Sequence, residues 1–299
     1  MAYVIIMKKL LVSALGLMTL TLAGCSNTLT TKQSTYHPTA LTAVVKGDAK
    51  AKHVTYQIED GAQQSVKVAA GTYFFQVPAA PHDQTVKLSA NGTHKTVTVK
   101  ATKALGNYKK FAASYNQMVI ASYLPTKVQK QLQTAQQTQA QTKQKLAALA
   151  KTDPTAAAAA AKQQQAAAQQ LQAKLATAKR QAKDDLLPTT VKDGMQNLVT
   201  TKAATVRANV QDGQLMGLAL ITPTAQMKTK RGQKQFGTTF ALLGATLKAK
   251  PKYVINKFEK VLKDAKFNSS STNTKTIHSN GIRFNTGFSA DHLYIYMTK

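Results

Sequence analysis

The chain of 299 residues has no tryptophan, a single cysteine and only 12 acidic residues against 40 lysines and arginines. Each scarcity excludes a class of chemistry. Cys25, the one cysteine, forbids an internal disulfide and leaves no second thiol for a zinc or redox site. Glu59 and Glu259 are the only glutamates, so a paired-carboxylate glycosidase would have to use aspartates, and none stands at a suggestive spacing. The six histidines are scattered singly, with no His-x-His or His-Glu-x-x-His pair and no Gly-x-Ser-x-Gly elbow. The nearest approach to a constellation is His278-Ser279 with Asp291-His292, which pairing of the C-terminal strands would draw together. A turn and a strand start account for both pairs equally well. No catalytic residue, metal ligand or cofactor site is predicted, and the chain reads as a non-enzyme.

The N-terminus carries a definite signal. Lys8-Lys9 is followed by an apolar run over residues 10–22 that closes on Leu22-Ala23-Gly24-Cys25. That order resembles the lipobox of bacterial lipoproteins, and the scarcity of cysteine, glutamate and tryptophan resembles cell-wall-facing proteins of Gram-positive bacteria more than disulfide-using periplasmic ones. The lipobox resemblance implies cleavage before Cys25, a diacylglyceryl group on its sulfur, and a mature chain anchored at the extracytoplasmic face of the cell membrane. Two acyl chains suffice for stable anchoring where one would be marginal. A membrane-spanning helix fits less well: the stretch 10–23 is 14 residues long, short of the ~20 that cross a bilayer. Extension back to Val4 would put Lys8 and Lys9 into hydrocarbon, and Leu22-Ala23-Gly24 is a poor small-x-small site for a plain secretory signal. Met7 is an alternative start to Met1.

Removing residues 1–24 takes two of the 40 basic residues and leaves 38 against 12 acidic ones, a net charge of +26. Such a charge speaks of surroundings and solubility, not of fold. At an envelope surface the anionic partners are lipid headgroups and phosphate-bearing wall polymers such as teichoic acid. Nucleic acid is the least favoured partner, because no binding motif accompanies the charge and aromatic residues make up only 6% of the chain.

The predicted fold class is multi-domain α+β. After the signal peptide (1–24), residues 25–39 are rich in Ser, Thr and Asn and read as a flexible stalk. Residues 40–103 alternate short β-type runs with turn signals such as Asp60-Gly61 and Asn91-Gly92, which predicts a small antiparallel β-sandwich. Within it, residues 66–77, with Gly71-Thr72-Tyr73 leading an alternating strand, weakly resemble bacterial immunoglobulin-like and transthyretin-like surface domains. Residues 104–188 read as helical. Leu105, Tyr108, Phe111, Tyr115 and Val119 recur at helical spacing, and an Ala/Gln-rich segment over 125–187 follows.

In that segment Val128, Leu132, Ala135, Gln139, Thr142, Leu146 and Leu149 form one seam, and Ala168, Leu171, Leu175, Ala178 and Ala182 form another. Thr152-Asp153-Pro154 separates them with a cap and a proline start, predicting a coiled-coil-like antiparallel helical hairpin. A disordered low-complexity linker is the competing reading. Residues 189–299 predict an α+β domain with an antiparallel sheet: a short helix over 195–199, a hairpin at Asp212-Gly213, two helices, a hairpin at Asn280-Gly281 and a closing strand.

Lys228, Lys230, Arg231 and Lys234 precede the helix that carries Phe236, and seven lysines follow from Lys248 to Lys266. A basic cluster without interleaved acids is a candidate polyanion-binding patch. The expectation is a lipid-anchored binding or scaffolding module facing anionic wall polymer or an envelope protein. The alternative is a wall-acting hydrolase whose site is not visible as a motif, for which a concave pocket with converging polar groups would be needed.

Overall fold

The computed structural model describes residues 28–267 and 276–299. The lipobox residues Leu22, Ala23, Gly24 and Cys25 lie outside the described residues. Over the rest the molecule is mixed α+β with several antiparallel sheets.

The first unit contains β1 (Thr35–Tyr36), β2 (Thr42–Asp48), β3 (His53–Ile58), β4 (Gln64–Lys67), β5 (Thr72–Pro78), β6 (Gln84–Ala90) and β7 (Thr93–Val99). Five of them form a sheet in the order β1-β7-β6-β3-β4, and β2 pairs with β5. β5 alternates strictly: Tyr73, Phe75 and Val77 are buried while Thr72, Phe74 and Gln76 are exposed. The period-two pattern puts one face into a core shared with Val45, Val54, Val86, Leu88 and Val97. There the Tyr56 and Phe75 rings stack at 3.8 Å. The stalk expected over 25–39 does not run that far. From Leu29 the chain is tied to the edge of β2: Thr30 N donates to Asp48 O and Lys32 N to Lys46 O, each at 2.9 Å. Leu29 and Tyr36 are both buried.

β8 (Gly106–Asn107) leads into α1 (Tyr108–Ser122), four residues later than the helix start expected at 104. Asn107 caps α1 by accepting from Lys110 N at 3.0 Å, and Tyr108, Phe111, Tyr115 and Val119 form its buried stripe. Next come α2 (Thr126–Thr152) and α3 (Pro154–Gln181). Asp153 accepts from Ala156 N at 2.9 Å, with Pro154 at the first helical position. Val128 and Ala178 are buried in a small cluster with Leu124, against which Leu132, Leu171 and Leu175 pack. Away from that end the seam is thin. Leu146 and Leu149 are half-buried, and Ala135, Thr142 and Ala168 are exposed.

After a single 3₁₀ turn at Lys183–Asp185 come β9 (Gly194–Thr200), β10 (Thr205–Gln211), β11 (Gln214–Pro223), α4 (Thr224–Met227), α5 (Lys230–Thr246), α6 (Pro251–Phe267), β12 (Ile277–Ser279), β13 (Ile282–Phe288) and β14 (His292–Thr298). The strands form an antiparallel sheet in the order β12-β13-β14-β11-β10-β9, with β8 also pairing β11. Residues 195–199, expected as a short helix, are an edge strand paired to β10. The Asp212-Gly213 turn has φ of 53° and 68°, the doubly positive conformation that two-residue hairpins demand. α1, α5 and α6 share one core with the sheet, in which Leu218, Leu220, Phe240, Leu243, Phe284 and Met297 are fully buried. Each such side chain contributes roughly 1.5–3 kcal/mol relative to exposure.

The two β-rich parts meet on the sheet face opposite those helices. Asn209 is fully buried, and its Nδ2 donates to Leu41 O at 3.1 Å and Ala79 O at 2.7 Å. Leu41 also packs with Ala219 and Ile221. A Cβ on Gly217 would lie 2.6 Å from Leu41 Cδ2, so glycine permits the close approach. His82 reaches across the same junction, 3.2 Å from Glu59 and 3.9 Å from Asp212.

Candidate functional site

The basic cluster is built on a tight corner between α4 and α5. Thr229 caps α5: its Oγ1 accepts from Gly232 N at 3.0 Å and donates to Gln226 O at 3.0 Å. A Cβ at Gly232 would lie only 2.2 Å from Gln226 O, so only glycine lets the last turn of α4 pack against the first of α5. The corner places Lys228 at the end of α4, Lys230 and Arg231 in the first turn of α5, and Lys234 one turn on. The run expected to precede the helix therefore lies largely within it. All four side chains are exposed, and among the described residues none is in an ion pair. The first turn of α5 contains no acidic residue. The positive end of a helix macrodipole thus carries added positive charge, an arrangement that an external anion relieves.

α5 has a concavity on each flank. Toward α1 a groove of about 440 Å³ is lined by Tyr115, Tyr123, Asp185, Arg231, Lys234 and Thr238 among others. The Tyr123 hydroxyl donates to Asp185 Oδ2. That hydrogen bond, ahead of burial, pushes the Tyr123 phenol up to about 12. Asp185 is thereby committed to Tyr123, and Arg231 and Lys234 reach the groove unpaired. Toward α6 lies a cavity of about 390 Å³ lined mainly by Phe236, Phe240, Ile255, Phe258, Phe288 and Leu293, with Gln233, Glu259 and Thr286 as polar lining.

The histidine pairs named from the sequence are not brought together. His278 on β12 lies opposite Arg283, which pairs with Thr298, whereas His292 begins β14 beyond the Phe288–Leu293 pair. At ~3.4 Å per residue the two sites stand about 20 Å apart along the strands. Ser279 is buried and its Oγ accepts from Lys250 N at 2.9 Å, a structural task. Asp291 is held below the usual carboxylate range by His292, 2.9 Å away, and by the Ser289 hydroxyl. Those contacts close the β13–β14 turn. Among the described residues no group of three His, Cys, Asp or Glu side chains is placed to hold a metal ion, and no helix is long and apolar enough to cross a membrane.

No protein-family model matches the chain, and no curated protein matches it. Sequence reasoning found the four cations but neither flanking concavity. Tyr123 and Asp185 are 62 residues apart, and Phe236 and Phe258 carry the same helical spacing whether the space beside them is filled or open.

Proposed function

We propose that the mature chain is a non-enzymatic binding module, anchored through a lipid on Cys25 at the extracytoplasmic face of the membrane and directed at anionic wall polymer. In this reading the chain has three parts: a two-layer β-sandwich beginning by Leu29, an antiparallel helical hairpin formed by α2 and α3, and an α+β domain that presents the binding surface. Contact between Val128 and Ala178, at opposite ends of the two helices' sequence, supports the hairpin.

The observation that carries the binding assignment is the corner at Thr229. Lys228, Lys230, Arg231 and Lys234 crowd the positive end of α5 with no internal counter-charge. Polymer held by such a patch is bound through counterion release rather than by shape, so affinity is salt-dependent and specificity low. The anchor follows from Leu22-Ala23-Gly24-Cys25 behind a basic, apolar leader. Replacing Cys25 with Ser in the producing cell tests it by fractionation. The expected result is either release of the cleaved protein into the medium or accumulation of the uncleaved chain with its apolar leader. A Ser variant that is cleaved correctly and remains membrane-bound would overturn the anchor.

A further inference from the structure

We infer that the cavity between α5, α6 and the β13–β14 hairpin is a binding site for a single-chain fatty acid, with hydrocarbon inside and the carboxylate at the α4–α5 corner. At about 390 Å³ its size falls in the range of small-molecule sites, which are concave, mostly apolar and furnished with few polar groups. The wall is made of aromatic and aliphatic side chains, and its polar members add little demand. Gln233 Nε2 already donates to Met227 O at 2.8 Å, which leaves Glu259 as the one ionisable lining group. The cavity reaches the surface rather than being sealed in the core. Phe288 is 54% exposed, while Phe240, also in the lining, is fully buried.

Gly237 is the residue that keeps the space open. It lines the cavity in the interior of α5, where glycine is the least favourable residue after proline. A Cβ built there would meet nothing within 4 Å. No close neighbour explains the glycine, as Gln226 does for Gly232; what a side chain at 237 would occupy is the cavity itself.

Charge selects the head group. Met227 in the lining runs directly into Lys228, and Lys230 stands one turn before the lining residue Gln233 on the same helical face. Glu259 belongs to α6 and disfavours an anion on that side, so the carboxylate is assigned to the lysine corner. The site shares Lys228 and Lys230 with the polymer-binding reading but does not depend on it.

The test uses the full mature chain carrying Cys25→Ser, titrated calorimetrically with dodecanoate below its micelle concentration, and with dodecanol and dodecylammonium as neutral and cationic counterparts. Dodecanoate is expected to saturate at one molecule per chain and to bind about tenfold or more tightly than dodecylammonium. Gly237→Leu should cost about tenfold or more in dodecanoate affinity while leaving the melting temperature unchanged or raised and wall-polymer binding intact. Phe288→Ser, at a side chain already more than half exposed, should weaken binding without unfolding and so covers the case in which Gly237→Leu misfolds. Lys228→Gln with Lys230→Gln should erase the preference for dodecanoate over dodecanol. Absence of saturable binding, undiminished binding in folded Gly237→Leu or in Phe288→Ser, or a preference for dodecylammonium would overturn the site. Absence of polymer binding by the parent chain, with saturable dodecanoate binding present, would count against the polymer reading alone.

Discussion

Lys230 and Arg231 occupy positions that a helix disfavours for them, since the first turn of α5 already bears the positive end of the backbone dipole and has no acid to offset it. Residues chosen for stability alone would be acidic there. Lys230→Glu is therefore expected to raise unfolding free energy by about 0.3–1 kcal/mol and to reduce retention on teichoic acid. Thermal unfolding and polymer co-sedimentation of the same preparation read both effects. A variant that loses stability, or gains it without losing retention, removes the argument that the cluster is kept for binding. At this scale the sequence was informative where the signal is chemical identity. The four cations and the Asp212-Gly213 turn are legible as letters. The Tyr123–Asp185 bond, which raises the phenol's affinity for its proton, joins residues with no local relation and could not be read.

Elements were legible in proportion to the length of their period. β5 shows three full alternations and α5 carries Phe236, Phe240 and Leu243 at helical spacing; both stand where the pattern puts them. Residues 195–199 are too short to show a period, and Met195, Leu198 and Val199 fit a helix as well as a strand. Pairing to β10 decides for the strand. Residues 29–36 failed for a different reason. Their attachment runs through backbone bonds to β2 and two isolated apolar side chains, Leu29 and Tyr36, none of which leaves a pattern among Ser and Thr.

The α2–α3 segment has the period but little core, which is why its two readings stayed open. Spin labels on the exposed Lys127 and Lys179 separate them. A folded-back hairpin brings the labels within about 20 Å, whereas a continuous helix at ~1.5 Å per residue holds them roughly 80 Å apart. A broad distribution would indicate a flexible linker instead.

At the scale of the molecule, the parts are joined tightly enough to act together. Buried Asn209 bonds two carbonyls of the first β unit, and Gly217 admits Leu41 to the C-terminal sheet. The basic corner and the fatty-acid cavity both lie at α5, above the sheet face opposite that junction, so neither is consumed by joining the parts. The mixed α+β character was readable from composition shifts along the chain, but the junction was not, because a glycine or an asparagine within a strand marks an irregularity without saying what approaches it. In the proposed function anchoring and charge act together: a chain tethered among anionic polymers would present unpaired cations to them.

Its central claim is tested most directly by the dependence of teichoic acid affinity on salt, measured for the mature Cys25→Ser chain and for the same chain with Lys228, Lys230, Arg231 and Lys234 changed to Gln. Each phosphate neutralised adds about 0.7–0.9 to the slope of log affinity against log salt for nucleic acids, and a wall polymer of lower charge density should give a smaller increment. The account predicts a steep negative slope for the parent, and weaker binding with a flatter slope for the fourfold variant at unchanged melting temperature. Binding that is absent at low salt, or that responds to neither ionic strength nor the four substitutions, would contradict it.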